Sequence, residues 1–456
     1  MSGSRRSCRR SAPISSARAT AKGGETVGFV SSDHIRARFS AAMSEMYRAE
    51  VPQYGTLLKL VDASNAAVLA RDPALAEAMG RTGDIGRLAG ERHGAIRVGT
   101  PAELALMRRA FAVMGMAAVG YYDLAGAGVP VHSTAFRPVD QAALTANPFR
   151  VFTSLLRLEL IDDAALRAEA QAILDARRIV TPGALALIGQ AERDGGLDEA
   201  AAADFVAELL ETFRWHATAT VSAQTYGHLL DTHRLIADVV SFRGPHINHL
   251  TPRTLDIDAV QAAMPAHGIT PKESIEGPPR RRCPILLRQT SFKALDERIL
   301  FPSASGEPVP GRHTARFGEV EQRGVALTPQ GRAIYDAALA AGRLDEDRFG
   351  ELPDDWDSLR RGHLAYFRYS GARIAPAMLD AAIAAGDVVA DPVIYEDFLP
   401  VSAAGIFQSN LGDEARGAYG AQASRAAFEQ ALGTAVLDEF ALYEAIEARS
   451  LQTITV

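Results

Sequence analysis

The chain has 456 residues, a formal net charge of −7 and a hydrophobic fraction of 47%. This composition is that of a globular protein and excludes wholesale disorder and fibrous repeats. No stretch approaches the roughly 18 consecutive apolar residues that cross a bilayer, so we expect no membrane partner. The acidic balance argues against broad nucleic-acid binding. Two cysteines exclude a disulfide framework, so we expect a cytoplasmic protein whose metal, if any, is held by nitrogen and oxygen.

Basic residues are concentrated at the amino terminus. Residues 1–28 carry six arginines and lysines against a single acid, and they lack the apolar stretch of a secretory signal. The composition is that of a transit peptide, but an upstream extension of the true start would share it. We predict a disordered basic tail over residues 1–28 and a single domain over residues 29–456, with a helical insertion around residues 160–240.

Helical spacing dominates the chain. From Ser32 onward, apolar residues recur with a period of 3.6, and Ser32 or Asp33 is available to cap the helix. Thr100, Pro101 and Glu103 form the pattern of a capping box with proline at the first helical position. Further helices are predicted at 162–176, 183–193, 198–214, 223–236, 328–341, 376–384 and 424–447.

Short segments rich in β-branched or aromatic residues, bounded by Gly or Pro, lie between the helices. The predicted strands are Ala117–Tyr122, Val129–Phe136, Phe149–Leu158, Pro284–Phe292, Arg312–Gln322 and Val388–Leu399. Strands and helices neither alternate strictly nor form a run of hairpins. We therefore predict an α+β fold, in which a mixed or antiparallel sheet carries many helices.

The common nucleotide and hydrolase motifs are absent from the sequence. Gly126 and Gly128 begin like a dinucleotide fingerprint, but Val131 stands where the third glycine belongs. There is no phosphate-binding loop, no nucleophile elbow and no His-Glu-x-x-His pair. The eleven histidines are therefore the more informative set.

Three histidine-bearing or acidic segments differ from ordinary surface sequence. If residues 91–99 are extended, a period of two places His93, Ala95 and Arg97 on one face. An imidazole and a guanidinium would then project together from the same strand. A lone histidine is more often a satisfied core or surface residue than a ligand, so this segment needs partners elsewhere.

Two further segments offer such partners. His246 and His249 lie between Pro245 and Pro252, which disfavour a long helix and indicate a fixed turn or edge. The predicted strand Arg312–Gln322 places Ala315, Phe317, Glu319 and Glu321 on one side. A carboxylate on a partly apolar face needs a partner, and a cation is one answer.

Two imidazoles and one carboxylate form the facial triad of non-haem Fe(II) oxygenases, which leaves three positions on the metal open. His93, His249 and Glu319 are one such set in this sequence. His246 competes with His249, and Glu321 competes with Glu319, so the residues alone leave these alternatives open.

At these same segments the chain resembles the 2-oxoadipate dioxygenase/decarboxylase family, also called hydroxyglutarate synthase. Runs of eight or more residues recur in order, and the resemblance extends from about Phe29 to Gln452. The matching stretches are Tyr54–Leu57, Glu91–Thr100, Phe111–Met116, Val119–Leu124, Val129–Arg137, Gly244–Asp258, Arg288–Leu295, His313–Gly324 and Tyr395–Phe407.

The resemblance implies a single catalytic domain with a mononuclear Fe(II) centre. His93, His249 and Glu319 stand at the family's ligand positions within their matching stretches. The implied fold is a core similar to that of the vicinal-oxygen-chelate enzymes, in which a curved sheet surrounds the metal and many helices are added.

The resemblance also implies the substrate contacts and the reaction. Arg97 stands where the family's arginine pairs with the distal carboxylate, and Val401 and Ser402 fall in the segment that lines the substrate pocket. The implied reaction converts 2-oxoadipate and O₂ to 2-hydroxyglutarate and CO₂, as part of lysine catabolism. Two alternatives are an O₂-independent metal-dependent lyase or isomerase on 2-oxo diacids, and a non-catalytic 2-oxo acid binding protein. These residues do not set chain-length preference, product stereochemistry or oligomeric state.

Overall fold

A computed structural model of the chain describes residues 28–292, 296–314, 316–343, 349–399 and 421–456. The predicted basic tail lies outside the described residues, except for residue 28. Val401 and Ser402 also lie outside them. The predictions made for these positions therefore stay predictions, as does the assignment of residues 29–456 to one domain.

The described chain is rich in helices. They are α1 Ser32–Glu50, α2 Pro52–Arg71, α3 Pro73–Thr82, α4 Asp84–Leu88, α5 Pro101–Val113, α6 Gln141–Ala146, α7 Ala164–Ala176, α8 Pro182–Asp194, α9 Glu199–Leu210, α10 Ala223–Thr232, α11 Arg234–Ser241, α12 Ile257–Ala263, α13 Pro329–Ala340, α14 Trp356–Arg361, α15 Leu379–Ala385, α16 Ala421–Leu432 and α17 Glu439–Ile454. Within the described ranges, none of these helices combines the length and the apolar character that crossing a lipid bilayer requires.

Eleven strands are described between these helices. They are β1 Arg92–Val98, β2 Ala117–Asp123, β3 Val131–Arg137, β4 Arg150–Leu156, β5 Leu250–Pro252, β6 Leu287–Ser291, β7 Glu297–Phe301, β8 Val309–His313, β9 Glu319–Arg323, β10 Phe367–Gly371 and β11 Val388–Pro392. Five of them form one sheet in the order β2-β3-β4-β1-β5. β1 and β4 pair in parallel, whereas the other pairs in this sheet are antiparallel. The predicted α+β class with a mixed sheet is confirmed.

Local sequence signals explain several of these boundaries. The hydroxyl of Thr100 accepts a hydrogen bond from the Glu103 amide at 3.2 Å, and the Glu103 carboxylate accepts one from the Gly99 amide at 2.7 Å. These bonds satisfy amide groups that the first turn of α5 would otherwise leave unpaired. The helix predicted to begin at this capping pattern is therefore confirmed.

For two segments, the prediction of one continuous helix was wrong. The predicted helix 223–236 is two helices, because His233 is extended (φ −167°, ψ 133°) and its ring accepts a hydrogen bond from the Leu235 amide. The predicted helix 424–447 is also interrupted, since Gly433 adopts a positive φ of 77° after α16 ends. Such a backbone conformation ends a helix at low steric cost only at glycine or asparagine.

Two predicted strands were also too long. Arg312–Gln322 is divided between β8 and β9, because β8 pairs with β7 whereas β9 pairs with β6. Val388–Leu399 ends as a strand at Pro392, where pairing with β10 stops. In both segments the local composition indicates extended chain correctly, but the partner strands set the limits.

The five-stranded sheet is buried on both faces. Alternate residues of the central strands enter two different apolar clusters: Ala95 and Phe152 enter one, and Ile96 and Val151 the other. Burial on both faces is the usual setting of parallel strand pairs. The strand that carries His93 is therefore held rigidly from both sides.

A glycine is required where β1 approaches the segment before β5. A Cβ at position 94 would lie 2.4 Å from Cδ1 of Ile247 and 3.1 Å from the carbonyl oxygen of His249. We expect Gly94→Ala to lower the free energy of unfolding by about 1–3 kcal/mol, because the added methyl forces these segments apart. Denaturant titration measures the change. Gly80→Ala in α3 is the control, since nothing lies within 4 Å of its Cβ position, and G94A as stable as wild type would contradict the prediction.

Candidate metal centre

His93, His249 and Glu319 converge although they lie far apart in the sequence. His93 is in β1, His249 immediately precedes β5, and Glu319 begins β9. Antiparallel pairing of β1 with β5 places His93 opposite Thr251. The Thr254 amide then donates to the Glu321 carbonyl at 2.7 Å, which joins the end of β5 to β9. One potential ligand atom from each of the three residues lies within 4.8 Å of the others.

One carboxylate oxygen faces both imidazole rings. Oε2 of Glu319 lies 3.2 Å from Nε2 of His249 and 3.4 Å from Nε2 of His93. The two rings are nearly perpendicular, with centroids 5.3 Å apart. All three side chains are buried. The arrangement directs two imidazole nitrogens and one carboxylate oxygen toward a common point.

Three of the four ring nitrogens of these histidines lack an aligned hydrogen bond within the described part of the chain. Both ring nitrogens of His93 and Nδ1 of His249 make no aligned hydrogen bond with any described residue. Buried polar atoms in proteins are normally satisfied, so these atoms need an explanation. Two imidazoles and a carboxylate form a nitrogen–oxygen donor set that suits a divalent transition metal. The described residues therefore fit a bound metal ion.

The electrostatics favour the metal-binding forms of two of these groups. Burial lowers the pKa of His249 to about 4, so its ring is neutral and its lone pair available at neutral pH. Burial opposes ionisation of Glu319, but the rings of His249 and His93 outweigh it and hold the pKa of that carboxyl below its usual value. At His93, the carboxylates of Glu321 and Glu319 outweigh burial and raise the pKa.

The competing acid, Glu321, lies on the other side of the His93 ring. Its Oε2 is 2.8 Å from Nδ1 of His93, although the ring N–H is not aligned on that oxygen. Both carboxylate oxygens of Glu321 accept hydrogen bonds from Arg323 at 2.8 Å. Glu319 rather than Glu321 therefore faces both rings, and Glu321 contacts the nitrogen of His93 that points away from the shared centre.

The competing histidine, His246, belongs to a second cluster around Asp238. Nε2 of His246 lies 3.3 Å from Oδ1 of Asp238, and Nε2 of His313 lies 2.9 Å from the same oxygen. The other oxygen of Asp238 accepts a hydrogen bond from Nη1 of Arg97 at 2.6 Å. The positive charges of His246 and Arg97 outweigh burial and hold the pKa of Asp238 well below its usual value. Arg97 is thus anchored by a buried carboxylate.

Comparison with known proteins identifies the family. The sequence profile described as 2-oxoadipate dioxygenase/decarboxylase matches residues 39–410. A 2-oxoadipate dioxygenase/decarboxylase of Pseudomonas putida is 59% identical over 450 residues, covering 93% of this chain and 97% of that protein. The chain belongs to the 2-oxoadipate dioxygenase/decarboxylase family. It is therefore an enzyme of the dioxygenase/decarboxylase class.

Other relatives agree with this assignment. A 2-oxoadipate dioxygenase/decarboxylase of Mycobacterium tuberculosis is 43% identical over 420 residues, covering 90% of this chain and 96% of that protein. The crystal structure of hydroxyglutarate synthase from Pseudomonas putida in complex with 2-oxoadipate matches with a TM-score of 0.86 and 57% identity. That match covers 93% of this chain and 98% of the other. The family resemblance drawn from the sequence is confirmed.

In this family member, the first helix holds both loops that bear the later site residues. The hydroxyl of Tyr47 in α1 lies 2.6 Å from the carbonyl oxygen of Phe317 and 3.1 Å from that of Asn248, and donates to them. The amide of Phe317 also donates to the Asn248 carbonyl at 3.1 Å. These carbonyls belong to residues just before Glu319 and His249. A single buried phenol therefore fixes the two loops against each other.

A buried arginine connects β9 to the chain that leads toward residue 401. Besides holding Glu321, Arg323 donates from Nη1 to the carbonyl oxygens of Tyr395 at 2.8 Å and Asp397 at 3.0 Å. Removing one partner of a buried charge pair typically costs about 3–5 kcal/mol. Through these bonds Arg323 fixes residues 395–397 relative to Glu321 and so to His93. These residues precede Val401 and Ser402, which the family resemblance predicts to line the substrate pocket.

Sequence reasoning missed three residues that contact the predicted site. Thr251 and Gln289 both donate hydrogen bonds to Glu319, and Asp238 holds Arg97. A signal existed for Asp238, because it is the one acid in the otherwise apolar run from Leu235 to Val240. Thr251 and Gln289 are uncharged, and no local pattern distinguishes them.

Proposed function

We propose that this chain is an Fe(II)-dependent dioxygenase that oxidatively decarboxylates 2-oxoadipate with O₂ to 2-hydroxyglutarate and CO₂. The observation that carries the proposal is the convergence of two buried imidazoles and one carboxylate within 4.8 Å. Family membership supplies the reaction class, and the related enzyme whose crystal structure contains 2-oxoadipate supplies the substrate.

His93, His249 and Glu319 would hold the metal. Bound Fe(II) in such a triad supplies open positions for chelation of a 2-oxo acid and for activation of O₂. The protein's own task at this point is to keep three donor atoms aimed at one centre. Burial of β1 and the bonds from Tyr47 accomplish this, because they leave the donors little freedom to turn away.

Arg97 would bind the distal carboxylate of the substrate. His93 and Arg97 are four residues apart on the same face of β1, which corresponds to about 13 Å along the strand. Because both side chains project from the same face, a six-carbon diacid bound at the metal end would extend along β1 toward the guanidinium. Asp238 occupies one edge of that guanidinium and fixes its orientation. Held at both ends, the substrate cannot turn round in the site.

Metal removal and O₂ exclusion together test the proposal. Chelator-treated protein is expected to show no O₂ uptake with 2-oxoadipate, and added Fe(II) should restore it. The restored enzyme should consume one O₂ for each CO₂ and 2-hydroxyglutarate formed, and both oxygen atoms of labelled O₂ should appear in the products. An oxygen electrode combined with mass spectrometry of the products measures these quantities.

Single-histidine variants provide the matched comparison. His93→Ala and His249→Ala should lose O₂ uptake, whereas His228→Ala, at an exposed position of α10, should retain it. Product formed without O₂ would instead indicate a metal-dependent lyase or isomerase. Tight binding of 2-oxoadipate by iron-loaded protein without O₂ consumption would indicate a non-catalytic binding protein.

A further inference from the structure

The two oxygens of the Glu319 carboxylate have different surroundings. Oε2 faces the two imidazole rings and accepts a hydrogen bond from the Thr251 hydroxyl at 2.9 Å. Oε1 instead accepts a hydrogen bond from Nε2 of Gln289 at 2.9 Å. The carboxylate is thus divided into one oxygen that points toward the shared centre and one that another side chain holds.

Gln289 is fixed in place by its own strand. It lies in β6, directly opposite Glu321 in the pairing with β9, and therefore diagonal to Glu319 on the same face. On the other side of β6, the backbone amide of Gln289 donates to the backbone carbonyl of Glu276 at 2.9 Å. The backbone amide of Glu276 donates to the carbonyl of Gln289 at 2.8 Å. The Gln289 side chain is buried. The two backbone pairings hold the Gln289 main chain beside Glu319, and burial limits the freedom of its side chain.

We propose that Gln289 is a positioning residue that keeps Glu319 a one-oxygen ligand of the metal. A carboxylate that binds with both oxygens occupies one further position on the metal. Chelation of a 2-oxo acid needs two open positions and O₂ needs one, so the facial triad has none to spare. By occupying Oε1, the Gln289 amide preserves the position that the second carboxylate oxygen would take. This inference rests on the proposed function, because it concerns the same metal.

The chemistry of the pair fixes the direction of this hydrogen bond. An ionised carboxylate only accepts hydrogen bonds, so the amide nitrogen and not the amide oxygen of Gln289 must face Oε1. The second partner, Thr251, binds the oxygen that faces the rings and leaves Oε1 to Gln289 alone among the described residues. Loss of Gln289 therefore frees the one oxygen that could become an additional ligand.

Gln289→Met tests the inference, because methionine has a similar shape but no hydrogen-bond donor. The experiment uses the full-length protein without O₂, first loaded with Co(II) and then with Fe(II). Visible absorption of the Co(II) form reports the ligand set and its geometry, and calorimetric titration gives metal affinity. The charge-transfer band that appears when 2-oxoadipate chelates Fe(II) gives the affinity for substrate. None of these measurements requires turnover.

We expect Gln289→Met to bind Fe(II) as tightly as wild type, or more tightly, and to show an altered Co(II) spectrum without substrate, because the second carboxylate oxygen replaces a solvent ligand. Its affinity for 2-oxoadipate should fall by about 10- to 100-fold, the usual size of effects from residues that support metal ligands. Gln261→Met is the matched control, because the Gln261 side-chain amide donates to Lys272 and Thr290 and not to Glu319 among the described residues. This variant should leave all three readings unchanged. Gln289→Leu is the second variant, which also removes the donor and should weaken chelation similarly.

Two results would overturn the inference. One is Gln289→Met that binds both Fe(II) and 2-oxoadipate as wild type does. The other is a loss of Fe(II) affinity in Gln289→Met. That result would show that Gln289 supports metal binding and does not limit Glu319 to one ligand oxygen. If Gln289→Met does not fold, the same two readings of Gln289→Leu decide. Wild-type protein that binds no Fe(II), or shows no chelate band, would instead contradict the proposed function.

Discussion

Glu319→Gln is expected to reduce O₂ uptake with 2-oxoadipate to below about 1% of wild type. Residues that only support metal ligands cost about 10- to 100-fold when they are replaced, so the loss of a ligand should cost more. The amide keeps the shape of the carboxylate but carries no negative charge to offset the metal's charge at a site buried from water. Equilibrium titration with Fe(II) under anaerobic conditions should show a loss of affinity of at least about 100-fold.

The matched control is Glu45→Gln, because Glu45 is exposed on α1 and forms a surface ion pair with Arg48, one turn away. It should match wild type in metal affinity and activity. Thermal unfolding of all three proteins without metal separates a fold defect from a site defect. Stoichiometric Fe(II) binding and normal turnover by Glu319→Gln would show that the ligand set is wrong.

Arg97→Lys is expected to lower kcat/KM for 2-oxoadipate by about 10- to 100-fold, equivalent to about 1.4–2.7 kcal/mol. Lysine keeps the positive charge that Asp238 requires, so no buried carboxylate is left unpaired. It cannot, however, present two parallel N–H groups to a second carboxylate while one edge is engaged by Asp238. Most of the loss should appear in KM, because the contact is remote from the bond that breaks.

A substrate without the distal carboxylate provides the control for Arg97. A 2-oxo monoacid of the same chain length should react poorly with wild type and equally poorly with Arg97→Lys, since it has nothing for the guanidinium to bind. Fe(II) affinity should be the same in both proteins. An equal loss with both substrates, or unchanged kcat/KM for 2-oxoadipate, would contradict the role proposed for Arg97.

The fold class and many helices could be predicted because they depend on local signals. The capping pattern at Thr100 and the periodic apolar residues after Ser32 act over a few positions, and both helices form, although Ser31 rather than Ser32 or Asp33 caps the first. The continuous segment Arg312–Gln322 could not be divided correctly, because its two halves pair with different strands. Pairing partners across the chain are a tertiary property that local composition does not contain.

The candidate site likewise combines features that local sequence predicts with features that depend on strand pairing. Residue chemistry alone left His246 and Glu321 open, and the family resemblance selected His249 and Glu319. What separates the members of each pair is distance to a common point, and that distance depends on the register of β1 with β5 and of β5 with β9. Gln289 contacts the site through the pairing of β6 with β9, so it could not be found without the sheet.

The long sequence separation of the site residues has a consequence for synthesis on the ribosome. Glu319 follows His93 by 226 positions, and translation adds about 5–20 residues per second, so roughly 10–45 seconds pass between the two. During that interval the nascent chain holds β1 without the residues that complete the donor set, and β5 also emerges late. A metal held by the proposed ligand set could therefore be captured only after Glu319 has left the ribosome. Under the proposed dependence on Fe(II), cells that lack ferrous ion should accumulate a full-length apoprotein rather than a truncated or arrested species.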